Sequence, residues 1–333
     1  YCCFIRVADV HYRYRAASIP NCLAAILTRF EGRVEVIRQL MKEGRFAGLV
    51  REQLELDNVI GLVQQLTEES IVLNDRMLHA IANKICLSHN CSHIRTALES
   101  ILDSGTQGKR LLNHLNRQKL ARLLSSTDDF LEALDILQLL VDAAPRWAEQ
   151  LCTDLETDVV AESAFTDART DGWARYVAYI HKIDEETGAT ILQNVDHERL
   201  AAHLSTSPLP GQFVFVLQHF DKIDGLADKL FSLWDRESFL DHTTDAFIGR
   251  TDLEPEFRPS MSSIVAISAL PYYVGQDVWS DFVWRIVKKA GSARFEQLMQ
   301  FQSLIKEIAT QDTDMIRSVI KEIVTVIERE GCC

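Results

Sequence analysis

The chain has 333 residues, 47% of them hydrophobic and 25% charged, enough apolar material to bury a large core. Its 48 acidic residues outnumber 35 basic ones, for a net charge of −13. Phosphate backbones and anionic bilayers need a basic face, so neither nucleic acid nor membrane is expected as a partner.

Glycine (14) and proline (7) are scarce, and apolar residues recur at helical spacing rather than alternating, which predicts an all-α chain. No apolar run approaches the roughly 20 residues that span a bilayer; the longest, from Ile264 to Val274, is broken by Pro271. The start, Tyr1-Cys2-Cys3-Phe4-Ile5-Arg6, lacks the basic region and apolar core of a secretory signal, and Tyr1 in place of Met suggests a piece of a longer protein. Eight cysteines in so long a chain do not read as a secreted disulfide scaffold. Reduced thiols and a cytoplasmic location are expected, with Cys22 and Cys152 inside apolar helical patterns.

In chain order, Pro20 and Asn21 open a first helix carrying Leu23, Ile26, Leu27 and Phe30 on one face. Helices are predicted over 34–42, 46–56 and 58–66, the last with Asp57 or Asn58 as cap. Another runs from about Asp75 to Leu87, a break falls near His89–Ser92, and a helix follows to Leu102.

From 111 to 240 one pattern recurs. It reads Leu115-Asn116-Arg117-Gln118-Lys119-Leu120-Ala121, then Leu155-Glu156 to Ala161, then Val195-Asp196-His197-Glu198-Arg199-Leu200-Ala201, then Trp234-Asp235 to Leu240. Leu73 to Leu78 echoes it upstream. Between these elements lie two more helical stripes. Trp173, Tyr176 and Ile180 match Ala133, Ile136 and Leu140 before them, and Phe213, Val216 and Phe220 after. Asp184 and Asp224 are the expected caps of the second helix, where Ala144 and Pro145 stand in the preceding unit. Ala189, Leu192 and Val195 are expected to face inward, and Asn116, Asp196 and Asp235 to cap the third helix, with Glu156 the weaker member. Each unit of about 40 residues is too small to bury its own apolar face, so stacking is implied.

From Asp241 the period fades, and the polar stretch 241–259, with Pro255 and Pro259, reads as a linker or an irregular excursion. Ser260–Leu270 is a predicted buried helix, Gln276–Ala290 an amphipathic one with Val278, Phe282 and Ile286 on one side, and helices over 293–310 and 312–330 close the chain. Three regions follow: an N-terminal helical region over 1–105, a repeat array over 106–245 and a C-terminal helical capping region over 246–333.

Several motifs approach chemistry. Cys86, His89, Cys91 and His93 offer four zinc-ligand types within eight residues. Zinc usually takes its ligands from two separated pairs, and no second pair is near; a helix end followed by a start capped at Asn90 or Ser92 explains the same residues. His197 and His203 flank Glu198 but stand six apart, about 240° around a helix, where a zinc-protease helix needs four. Gly105-Thr106-Gln107-Gly108-Lys109-Arg110 comes close to a phosphate-binding loop, but Asp103 and Arg110 stand where glycine and Ser or Thr are needed; it reads as a turn. Trp173 and Trp234 occupy repeat core positions, so packing accounts for them better than a ligand box. No carboxylate pair stands out as acid and base, and neither a catalytic residue nor a cofactor is expected.

The elements Ile183-Asp184, Val195-Asp196 and Leu200-Ala201, with their counterparts, resemble the helical arrays downstream of the NTPase module in large STAND-like signalling ATPases. No Walker motif accompanies them, so the resemblance implies a sensor or recognition arm and no ATPase activity. The expectation is a right-handed α-solenoid of HEAT- or armadillo-like repeats with a C-terminal helical bundle, binding a protein or peptide. The alternative is a zinc-binding module or metal-dependent enzyme built on Cys86, His89, Cys91 and His93.

Overall fold

The computed structural model describes residues 72–248 apart from 89, 103–105, 166–169, 222 and 224, together with Phe46–Gln53, Trp279–Ala290 and scattered positions between 39 and 63 and between 263 and 278. Every element among them is helical and none is a strand. No helix among them is long and apolar enough to cross a membrane. The chain divides into two compact units, Tyr1–Glu156 and Thr157–Cys333. Of the predicted helix over 34–42 only Gln39 is described, and it is helical; the predicted helices over 293–310 and 312–330, and the caps Asp57, Asn58 and Asp224, lie outside the described residues.

The first unit contains α1 (Phe46–Gln53), α2 (Asp75–Ile85), α3 (Cys91–Leu102), α4 (Thr106–Leu112), α5 (Arg117–Ser125), α6 (Phe130–Ala143) and α7 (Pro145–Thr153). Helix α2 packs on α1 and α4, α3 on α4 and α6, and α7 on both α6 and α5. The second unit contains α8 (Thr157–Glu162), a single 3-10 turn (Ser163–Phe165), α9 (Thr170–Ile183), α10 (Glu185–Asn194), α11 (His197–Ser205), α12 (Gly211–Phe220), α13 (Leu226–Ser232), α14 (Arg236–Ile248) and α15 (Trp279–Ala290). Here α10 packs on α8 and α9, α13 on α11 and α12, α12 on α9, and α14 on α11 and α15. The same neighbour relations therefore recur: the helix opening at 145 meets the one opening at 117, the one at 185 meets that at 157, and the one at 226 meets that at 197.

Local chemistry explains the helix starts. Asn74, Asn116, Asp196 and Asp235 each accept a hydrogen bond from the backbone N–H three residues on, at 3.0 Å, satisfying a donor that the first turn leaves open. Asp184 caps α10 through the Thr187 N–H at 3.3 Å and takes a second bond from the Thr187 hydroxyl at 2.7 Å. Helix α7 has no side-chain cap and opens on Pro145, whose missing N–H costs nothing at that position.

The stripes bury as their spacing requires. Ala133, Ile136 and Leu140, Trp173, Tyr176 and Ile180, and Phe213, Val216 and Phe220 are all fully buried. So are Leu120, Ala121 and Leu124 on α5, Leu200, Ala201 and Leu204 on α11, and Phe239 and Leu240 on α14. On α10 Leu192 is buried as expected, as is Val195 at its end, while Ala189 is only half-buried; Thr187, Gly188 and Ile191 complete the inward face. Gly188 leads this face because α9 lies too close for a side chain there: an added Cβ would come within 2.4 Å of the His181 Cα.

Two other expectations change. Residues 241–248 do not form a linker, because α14 continues to Ile248. Its buried Thr244 hydroxyl donates to the Leu240 carbonyl one turn back at 2.7 Å, so a polar residue sits in a helix core without an orphaned donor. Gly105–Arg110 is not a turn throughout either, because α4 begins at Thr106 and Gly108 lies within it. There an added Cβ would stand 2.7 Å from the Ile101 carbonyl oxygen, so the glycine permits close approach of α3 and α4. The four described helical positions of the predicted helix over 260–270, Ser263, Ala266, Ile267 and Leu270, are buried.

Candidate functional site

The segment with the densest potential ligands joins α2 to α3. Helix α2 ends at Ile85, and the Cys86 N–H still bonds back to the Ala82 carbonyl at 3.0 Å. A short bend follows, in which the Ser88 hydroxyl accepts from the Asn90 N–H at 3.3 Å. Asn90 then caps α3, its side-chain oxygen accepting from the His93 N–H at 3.1 Å. Of the two caps compatible with the sequence, Asn90 is the one used.

The two thiols among the four ligand candidates turn to separate neighbours. The half-buried Cys86 thiol donates toward the Asn116 carbonyl at 3.8 Å. The buried Cys91 thiol donates to the Thr127 hydroxyl at 3.4 Å. His93 is exposed, and His89 lies outside the described residues. Burial pushes both thiols up from their ordinary range; at Cys91 the carboxylates of Asp129, Glu132 and Asp128 add to this. A thiolate is the form that binds metal, and both environments disfavour it. Among the described residues no group of three or more His, Cys, Asp and Glu is placed to hold a metal ion.

The histidines of α11 also turn to separate neighbours. His197 Nδ1 lies 3.2 Å from the Lys229 ammonium, while the His203 ring meets the edge of Phe165 with centroids 6.4 Å apart. Arg199 between them stacks over Phe165, 4.0 Å from its centroid, and pairs with Glu162 at 2.7 Å. Burial lowers the pKa of both histidines, helped by Lys229 at His197 and by Arg199 at His203. The folded state therefore binds fewer protons than the unfolded chain below the ordinary histidine pKa of 6.5. The stability this contributes is full above that value and is lost as pH falls through the lowered folded pKa. Acidification from pH 7.5 to 5.5 should lower the thermal midpoint, and a His197→Gln/His203→Gln variant should decline less steeply. Equal slopes would contradict the assignment.

The loop that comes near a phosphate-binding motif is a structural joint. Gln107 accepts from the Leu73 N–H at 2.8 Å, and Arg110 reaches the Leu73 carbonyl at 3.1 Å and Asp75 at 2.7 Å. These bonds tie Gln107 and Arg110 to the start of α2. Trp173 is fully buried, and its indole N–H donates to the Val160 carbonyl at 2.7 Å. Trp234 is half-buried in a ring cluster with Phe213, Phe231 and Phe239.

What spacing could not reveal is a set of polar contacts between helices about one unit apart. Arg95 pairs with Glu132 and Arg117 with Asp154, each at 2.5 Å across 37 residues of sequence. Arg110 pairs with Asp75 across 35 residues, and Arg199 with Glu162 across 37. In the second unit a denser ladder joins α14 to α15, involving Arg236–Asp281, Arg285–Glu237, Arg285–Asp241, Lys289–Asp241 and Lys289–Asp245. Arg95–Glu132, Arg117–Asp154, Arg236–Asp281 and Arg285–Asp241 are part-buried, while the exposed pairs, such as Arg199–Glu162, contribute only about 0–1 kcal/mol each. No protein-family model matches the chain, and neither a curated protein nor a solved structure matches it significantly.

Proposed function

We propose that the chain is a non-catalytic interaction scaffold. In this reading it is a right-handed α-solenoid of three-helix units of about 40 residues, closed by a C-terminal helical bundle, which offers preformed surface to a protein or peptide partner. The observation that carries the reading is the recurrence of one neighbour pattern, with helices opening at 117, 157 and 197 meeting those opening at 145, 185 and 226. Trp173 and the histidines of α11 are engaged in packing or in contacts with neighbouring helices. The similarity of Ile183-Asp184, Val195-Asp196 and Leu200-Ala201 to STAND-like sensor arms extends the proposal to a recognition arm within a larger signalling protein.

The test combines pull-down with elemental analysis of the same purified protein. A partner captured saturably, and lost when exposed, non-repeating residues are substituted without change in thermal midpoint, supports the scaffold. One equivalent of zinc that disappears in a Cys86→Ser/Cys91→Ser variant would replace it with the metal-site alternative.

A further inference from the structure

Helices α5, α8, α11 and α14 each begin with a side chain that meets one from another helix. Arg117 pairs with Asp154, just beyond the end of α7, at 2.5 Å. Thr157 accepts from Asn194, the last residue of α10, at 3.4 Å, and the same amide donates to Asp158 at 2.6 Å. His197 meets Lys229 of α13 at 3.2 Å, and Arg236 meets Asp281 of α15 at 2.6 Å. The same helix pairs pack together, so each contact ties one joint. In three of these joints a cation meets a carboxylate or an amide meets oxygen acceptors. The joint between α11 and α13 instead sets an imidazole against an ammonium.

An ammonium has only donors, so the contact requires His197 Nδ1 as acceptor, with the ring proton on Nε2. A second proton goes to Nδ1, where it removes the acceptor and sets two cations face to face. The elements packed against α11 are α12, α13, α14 and the 3-10 turn. Besides Lys229 they carry His219 on α12 and Asp228 on α13. On α14, Arg236, Glu237, Asp241 and Asp245 turn to α15, and His242 turns to the Ser238 carbonyl. The charges that act on the half-buried His197 are Lys229, which disfavours its cation, and the cap Asp196, which favours it. We propose that the contact between α11 and α13 is a proton-operated joint. It holds while His197 is neutral and loosens when His197 takes up a proton, so that α13 is released while the joints begun by Arg117, Thr157 and Arg236 stay closed. The consequence is local, whereas the pH dependence of the thermal midpoint belongs to the whole fold.

The experiment is hydrogen–deuterium exchange of the full chain at pH 7.5 and 5.5, read by mass spectrometry and corrected for the intrinsic pH dependence of amide exchange. Peptides covering α13 should lose protection by about threefold on acidification, and those covering α5, α7, α8 and α10 should lose less. His197→Gln keeps an acceptor for Lys229 but removes the titrating group, so it should abolish the loss at α13. His203 remains in that variant, which separates its titration from that of the joint. Lys229→Glu should invert the response, because the imidazolium then meets a carboxylate, and α13 should gain protection as the pH falls. Lys229 is exposed, and far-UV circular dichroism at pH 7.5 confirms that both variants keep the helicity of the unaltered chain. Unchanged protection at α13, an equal loss across all the helices, or a Lys229→Glu chain that still loosens at α13 on acidification would overturn the joint.

Discussion

Trp173→Ala should lower stability by about 3–5 kcal/mol, the range for removing a large buried aromatic side chain. The indole is fully buried at the start of α9, and three contacts go with it. It meets Phe220 of α12 edge to face with centroids 5.8 Å apart, it donates to the Val160 carbonyl of α8, and it begins the stripe that continues through Tyr176 and Ile180. Three helices thus lose packing at once. Trp173→Phe separates the parts: it retains most of the apolar volume but loses the donor, and should cost about 1–2 kcal/mol. Thermal melts followed at 222 nm measure both. A loss below about 1 kcal/mol for the alanine variant would show that α8, α9 and α12 do not meet at this residue.

The second large effect comes from adding a single carbon. Gly188→Ala would place a Cβ 2.4 Å from the His181 Cα and 2.8 Å from its backbone nitrogen, atoms that cannot rotate away. Helices α9 and α10 must then separate. Overpacking of this kind costs about 1–3 kcal/mol, and contact with rigid backbone favours the upper end. Alanine recovers about 1 kcal/mol of helix propensity, which leaves a net loss of about 2 kcal/mol. Gly48 on α1 is the control, since a Cβ there meets nothing within 4 Å. Gly48→Ala should therefore stabilise by about 0.5–1 kcal/mol, opposite in sign to the same substitution at Gly188. Chemical denaturation of both variants reads the contrast, and a stabilising Gly188→Ala would refute the close α9–α10 approach.

The features legible in the sequence are those set by local rules. Caps such as Asp196 and Asp235 act on a backbone N–H three residues away, and stripes such as Trp173, Tyr176 and Ile180 follow from the helical period alone. Features set by distant neighbours were not legible. Residues 241–248 look like a linker because Asp241, His242, Thr243, Thr244 and Asp245 are polar. They are helical because Thr244 bonds its own helix and the two aspartates answer Arg285 and Lys289 more than 40 residues away. At the start of α10 the inward position is Gly188 rather than Ala189 for a related reason. Gly188 offers no hydrophobic signal, yet it is the position that α9 approaches.

The candidate site shows the same division. The helix boundary at Asn90 was readable as one of two caps. The separate destinations of the two thiols depend on Asn116 and Thr127, 30 and 36 residues away. His197 and His203 could be set apart by counting around the helix, but their neighbours Lys229 and Phe165 could not be inferred that way.

The proposed array is tested most directly by small-angle X-ray scattering coupled to size-exclusion chromatography, on fractions of monomeric mass. A single compact globule of 333 residues has a radius of gyration of roughly 20 Å. The solenoid reading predicts a value well above that and a pair-distance distribution with a long tail. A symmetric distribution with a radius near 20 Å would contradict it.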